Sequence, residues 1–84
     1  TLTELNLSHN RLGDAGAELL AQALTKHNRT LVTLNLGGND MTDSAVVNLA
    51  EMLEFNTSLR ALGLQENRIS DRGVALLANV LKQK

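Results

Sequence analysis

The chain has 84 residues, enough for one small domain with a modest core. Hydrophobic residues make up 43% of it but aromatics only 1%, a single Phe, so the core must be built from Leu, Ala, Val, Met and Ile. The absence of Cys excludes disulfides, thiolate metal sites and thiol nucleophiles, and a net charge of −1 supplies no positive field to recruit nucleic acid or an acidic membrane.

Self-similarity organises the chain. Leu2, Leu5, Leu7, Asn10 and Leu12 return as Leu31, Leu34, Leu36, Asn39 and Met41, and again as Leu59, Leu62, Leu64, Asn67 and Ile69. The offsets, 29 and then 28, divide the chain into repeats at 1–30, 31–58 and 59–84. The extra residue of the first repeat lies between Leu24 and Asn28, which predicts an insertion in the loop after the first helix.

In chain order, residues 4–8 (Glu-Leu-Asn-Leu-Ser) alternate polar and apolar, the period of a strand with one buried face. Ala17, Leu20, Ala21 and Leu24 then fall at i, i+3, i+4 and i+7, which predicts an amphipathic helix. The second repeat closes on the matching stripe Val46, Leu49, Ala50 and Leu53, and the third on Val74, Leu77, Ala78 and Leu81. Asp14, Asp43 and Asp71 precede these stripes and read as N-caps, accepting orphan N–H groups at the positive end of each helix. The small residues Ala17, Ala21, Ala50 and Ala78 let the helices approach the sheet. Strands joined by helices must run parallel, and their spacing of about 4.8 Å is narrower than the roughly 8–10 Å between packed helices. The stack must therefore curve, strands on the concave side and helices on the convex side. The predicted architecture is an α/β solenoid, a right-handed horseshoe of three repeats.

The pattern LxxLxLxxN, carried by Leu2 to Asn10, Leu31 to Asn39 and Leu59 to Asn67, with the following Asp, helix and 29/28 cadence, resembles the ribonuclease-inhibitor type of leucine-rich repeat. The closing units, residues 28–31 (Asn-Arg-Thr-Leu) and 56–59 (Asn-Thr-Ser-Leu), are similar to those of NOD-like receptors and related intracellular proteins. The resemblance implies a non-catalytic protein-interaction segment in the cytoplasm. Its alternatives are a structural scaffold in a cytoskeletal or ciliary assembly and a regulator of a small GTPase. It also implies that Asn10, Asn39 and Asn67 form a structural ladder, each amide bridging the backbone of neighbouring turns.

By repeat phase, the concave positions are Glu4, Asn6, Ser8 and His9, then Thr33, Asn35, Gly37 and Gly38, then Ala61, Gly63, Gln65 and Glu66. Glu4, Asn6, Ser8, His9, Thr33, Asn35, Gln65 and Glu66 are the side chains there that a protein partner would meet. The set lacks the Trp, Tyr and Arg that dominate interface hot spots, so these repeats read as holding a shape more than gripping a ligand. The convex face, with Glu18, Gln22, Asn48, Glu51, Glu54, Asn79 and Lys82, reads as solvated, with Val47 as its apolar exception.

Other motifs resolve to structural readings. His9 and His27 have no further His or Cys to complete a metal site, and His27, at the phase of Phe55, reads as a ring packed beneath a loop. Ser8 and His9 are neighbours on a predicted strand and so are expected to point to opposite faces, which does not imply a hydrogen-bonded nucleophile and base. Gly37-Gly38-Asn39 lacks phosphate-loop spacing. Of the sequons at Asn6, Asn28 and Asn56, the last two share one phase and read as repeat consensus, and Asn6 lies between two core leucines on a predicted strand. Arg11, Asp40 and Arg68 alternate in sign at one phase and predict a rim charge ladder. No cofactor is expected, and no apolar run approaches the roughly 18 residues of a membrane span. Thr1 starts directly at a strand and Lys84 ends the third helical phase, so the chain is expected to be part of a longer array without caps. Its ends would then be covered by neighbouring repeats of the parent chain or by end-to-end self-association.

Overall fold

The computed structural model describes residues 2–27, 30–56 and 58–83, with the side chains of residues 27 and 81–83 outside that description. Six elements follow one another: β1 (Glu4–Asn6), α1 (Gly13–His27), β2 (Thr33–Asn35), α2 (Asp43–Phe55), β3 (Ala61–Gly63) and α3 (Asp71–Gln83). The three strands form one parallel sheet in the order β1-β2-β3. Its register pairs Leu5 with Leu34 and Leu34 with Leu62, so equivalent leucines stack in a row.

Burial follows position in the stack. Leu34 and Leu36 of the middle repeat are fully buried, whereas Leu5, Leu7, Leu62 and Leu64 are only partly covered. A strand–helix unit has apolar surface toward both neighbours, and only the middle unit has two. The helices show the same gradient: Val46 is 0% exposed and Val74, at the same phase, 57%. Ala17, Ala21 and Ala50 are buried, allowing close approach as expected. Ala78 is exposed on the unstacked side of α3. Leu81, Lys82 and the ring of His27 carry readings on side chains outside the described residues, as do Asn28 and Lys84.

Several local expectations are corrected. The strands are three residues long, so Ser8, His9, Gln65 and Glu66 lie in the turns beyond them. The extra residue of the first repeat does not enlarge a loop. Residues 24–27 are all helical, and α1 has 15 residues against 13 for α2 and α3, because one more helical residue retains its backbone hydrogen bonding where a loop residue would need another partner. Phe55 is 62% exposed, so its ring does not pack beneath the loop that follows it. Val47, at 48% exposure, is not alone among exposed apolar residues of the helices, since Leu19 is 68% and Val74 57% exposed.

The aspartates do not cap their own helices. Asp14, Asp43 and Asp71 sit inside the first turn, and the N-cap of α2 is Thr42, whose hydroxyl accepts from the Ser44 N–H at 3.3 Å. Asp14 instead reaches across to the next repeat, accepting from the Thr42 N–H at 2.7 Å and the Thr42 hydroxyl at 2.6 Å. Asp43 repeats the arrangement, accepting from the N–H of Ser70 at 2.9 Å and from its hydroxyl. A helical first-turn residue projects outward, where it meets the adjacent turn's cap more readily than its own end.

Candidate functional site

The turn after each strand determines how its polar side chains are presented. His9, Gly38 and Glu66 share one repeat phase and all have positive φ, at 59°, 65° and 60°. Backbone bonds join the turns, from the His9 N–H to the Gly37 carbonyl and from the Gly38 N–H to the Gln65 carbonyl, each at 2.9 Å. Beneath them runs the asparagine ladder. The Asn39 side chain is fully buried; its Oδ1 accepts from the N–H groups of Asn10 at 2.9 Å and Leu12 at 3.3 Å. Its Nδ2 donates to the carbonyls of Leu7, Leu36 and Gly37 at 3.0–3.2 Å. Asn67 repeats this toward Asn39 and Met41, and Asn10 Nδ2 donates to Leu7 and Ser8. Each buried amide thus satisfies backbone groups in two repeats.

Above the ladder, the structure brings the candidate concave residues into two groups. Glu4, Asn6, Thr33 and Asn35 surround an open hollow of 410 Å³ over β1 and β2. His9, Gln65 and Glu66 gather at the rim. There the glycines of the middle repeat make room for their neighbours: the His9 ring lies over Gly38, where any Cβ would collide with it, and the Gln65 amide lies 2.5 Å from the position of a Cβ on Gly37. His9 thereby crosses the middle repeat to reach the third, its Nε2 lying 3.5 Å from Glu66 Oε2. Gln65 Nε2 donates to Asn35 Oδ1 at 3.3 Å. The glycine positions are therefore roofed by side chains from adjacent repeats and do not leave a bare sheet.

The charge ladder does not form. No ion pair within 4.0 Å links Arg11, Asp40 and Arg68; among the described residues, the one such pair is His9–Glu66. Arg11 and Asp40 have positive φ and Arg68 does not, and the Arg68 N–H bonds to the Met41 carbonyl, so the third repeat departs here from the backbone conformation of the first two. Two carboxyls have lowered pKa. For Asp14 the chief cause is the Thr42 hydroxyl, then the Thr42 N–H. For Asp43 it is the Ser70 hydroxyl, then the Ser70 N–H, with Arg72 adding a smaller contribution.

Sequence reasoning missed a second buried asparagine, Asn56, 1% exposed. Its Oδ1 accepts from the Ser58 N–H, the Ser58 hydroxyl and the Leu59 N–H, and its Nδ2 donates to the Leu24 carbonyl of the previous helix. Ser58 in turn donates to Leu31 O at 2.9 Å, as Thr30 does to Leu2 O at 3.0 Å. The Asn-x-Ser/Thr-Leu recurrence, visible at residues 28–31 and 56–59, was the available signal; at Asn56 the buried amide gives it a structural role.

A parallel sheet with one helix per strand, a buried amide between turns and an apolar row shared by all repeats define a leucine-rich-repeat solenoid. The chain belongs to the Leucine Rich repeat family, whose pattern matches residues 1–21, 27–50 and 55–78, and its repeats are of the ribonuclease-inhibitor and NOD-like-receptor type. It is 45% identical over 82 residues to a ribonuclease inhibitor of Sus scrofa, covering 98% of this chain and 18% of that protein. It is 42% identical over 82 residues to NACHT, LRR and PYD domains-containing protein 13 of Homo sapiens, covering 98% and 8%. The chain thus spans less than a fifth of these relatives. Among solved structures it resembles the leiomodin-1 actin-binding site 2, with TM-score 0.89, 23% identity and coverage of 98% of this chain and 47% of that one. It also resembles a Caenorhabditis elegans tropomodulin C-terminal domain, with TM-score 0.82, 24% identity and coverage of 94% and 47%. At these identities the structural likeness is one of fold.

Proposed function

We propose that this chain is a non-catalytic protein-interaction segment of an intracellular leucine-rich-repeat protein of NOD-like-receptor type. In this reading a polypeptide partner is held on the concave side, at Glu4, Asn6, Ser8, His9, Thr33, Asn35, Gln65 and Glu66. The observation that carries it is the alignment of polar side chains from three repeats around one open hollow and its rim. Sheet register sets the spacing of Glu4, Asn6, Thr33 and Asn35. Similarity to a ribonuclease inhibitor, a protein named for acting on another protein, supports the same reading, while fold alone does not name a partner.

The test is site-specific photo-crosslinking in the parent protein. A photoreactive residue at Thr33 should trap the partner, and one at Glu51 on the convex side should not. Trapping at Glu51 with none at Thr33 would overturn the assignment of the concave face.

A further inference from the structure

Asn6 and Asn35 are register partners on adjacent strands. Each turns its side-chain oxygen back onto its own chain: Asn6 Oδ1 accepts from the Ser8 N–H at 3.0 Å and the Ser8 hydroxyl at 2.6 Å, and Asn35 Oδ1 from the Gly37 N–H at 2.9 Å. Rotating either amide by half a turn would set NH2 against a backbone N–H, so the orientation is determined by the turn. The Nδ2 groups are what remain, and among the described residues neither donates a hydrogen bond. Both amides line the same hollow, about one strand spacing apart, roughly 4.8 Å.

Glu4 lines that hollow as well. It is exposed and has no ion-pair partner within 4.0 Å among the described residues, whereas the other concave carboxylate, Glu66, is engaged by His9. No Lys or Arg occupies the concave positions of the strands. Two preset donors beside one unpaired carboxylate match a ligand with neutral acceptors and a cation. A carboxylate or phosphate ligand would meet Glu4 at like charge.

We infer that the Asn6–Asn35 amide pair and Glu4 form a subsite for an extended basic polypeptide segment, its main-chain carbonyls on the two Nδ2 groups and a Lys or Arg side chain at Glu4. This rests on the concave-face reading and adds the chemistry of the partner. The amides supply register and the carboxylate supplies charge selection.

The experiment is a residue-resolved NMR titration of the 84-residue chain with the acetylated, amidated peptides (Gly-Lys)4 and (Gly-Glu)4. The Lys peptide should move the Asn6 and Asn35 side-chain amide signals, and the Glu peptide should not. Glu4→Gln should raise the Kd of the Lys peptide at least about threefold. Asn35→Asp keeps the oxygen that receives the Gly37 N–H, removes the donor and adds a negative charge, and it should nevertheless weaken binding at least about threefold. Tighter binding by Asn35→Asp would mean diffuse charge attraction and would overturn the subsite, as would equal shifts with both peptides or none with either. Crosslinking at Thr33 judges the concave face separately, so a failure of the subsite is distinguishable from a failure of the reading it rests on.

Discussion

Asp14 holds Thr42, the residue that caps the next helix, by two hydrogen bonds of 2.7 and 2.6 Å. Thr42 in turn caps α2 through its hydroxyl, so the first turn of one repeat sets the helix start of its neighbour. Asp43 and Ser70 extend the device to the third repeat. The coupling between units therefore has a polar component in addition to the apolar row.

Breaking that link has a defined cost. Thr42→Val removes both the cap and the hydroxyl that donates to Asp14, and a loss of about 1–2 kcal/mol is expected. Asp14→Ala should cost a similar amount, and the double variant should cost less than the sum. Urea unfolding of the four proteins measures this; strict additivity would show that the two residues act independently.

The same contacts set the response to acid. Both carboxyls titrate below the ordinary range because their charged forms receive hydrogen bonds. A depressed folded-state pKa contributes stability above the unfolded-state value, and this contribution disappears as pH falls through the folded value. Melting temperature should decline below about pH 4. The decline should be shallower in the Asp14→Asn, Asp43→Asn double variant, and an unchanged acid limb would exclude these two groups as its cause.

The ladder asparagines should differ in cost although they share a phase. Asn39 is fully buried and bonded in two repeats, whereas Asn10 is exposed and its amide donates only to its own turn. Asn39→Ala leaves several buried backbone groups unpaired and should cost about 3 kcal/mol or more; Asn10→Ala should cost about 1 kcal/mol. Thermal or urea unfolding distinguishes them.

Val46 and Val74 provide the apolar counterpart. Truncation to Ala at Val46, which is 0% exposed, should cost about 2 kcal/mol, and at Val74, which is 57% exposed, under about 0.5 kcal/mol. Equal losses would mean that the outer face of α3 is covered in solution, and sedimentation would then identify a self-associated species.

Asp40→Lys should change stability by less than about 0.5 kcal/mol at both low and high salt, because no ion pair within 4.0 Å involves Asp40. Gly38→Ala should be costlier, since it strains a φ of +65° and displaces the His9 ring. Loss of the nuclear Overhauser contact between that ring and residue 38 would report the displacement.

The amino-acid sequence by itself determined the repeat, the alternation of strand and helix and the ladder positions Asn10, Asn39 and Asn67. These depend on local period and on recurrence, both one-dimensional properties. The places of Glu4, Asn6, Thr33 and Asn35 on the strands were legible for the same reason, since a parallel register maps repeat phase onto place in the sheet, whereas Ser8, His9, Gln65 and Glu66 lie in the turns. What only the tertiary structure decided is how side chains from different repeats meet. Asp14 looked like a cap for its own helix, and its oxygens are on Thr42. Arg11, Asp40 and Arg68 shared a phase, and the first two a positive φ as well, yet no ion pair within 4.0 Å links them, so equal phase did not bring their charges together. His9 reached Glu66 across a glycine that belongs to neither of their repeats. Phase fixes where a Cα lies in a solenoid; side-chain length, φ and the size of the intervening residue decide what it touches.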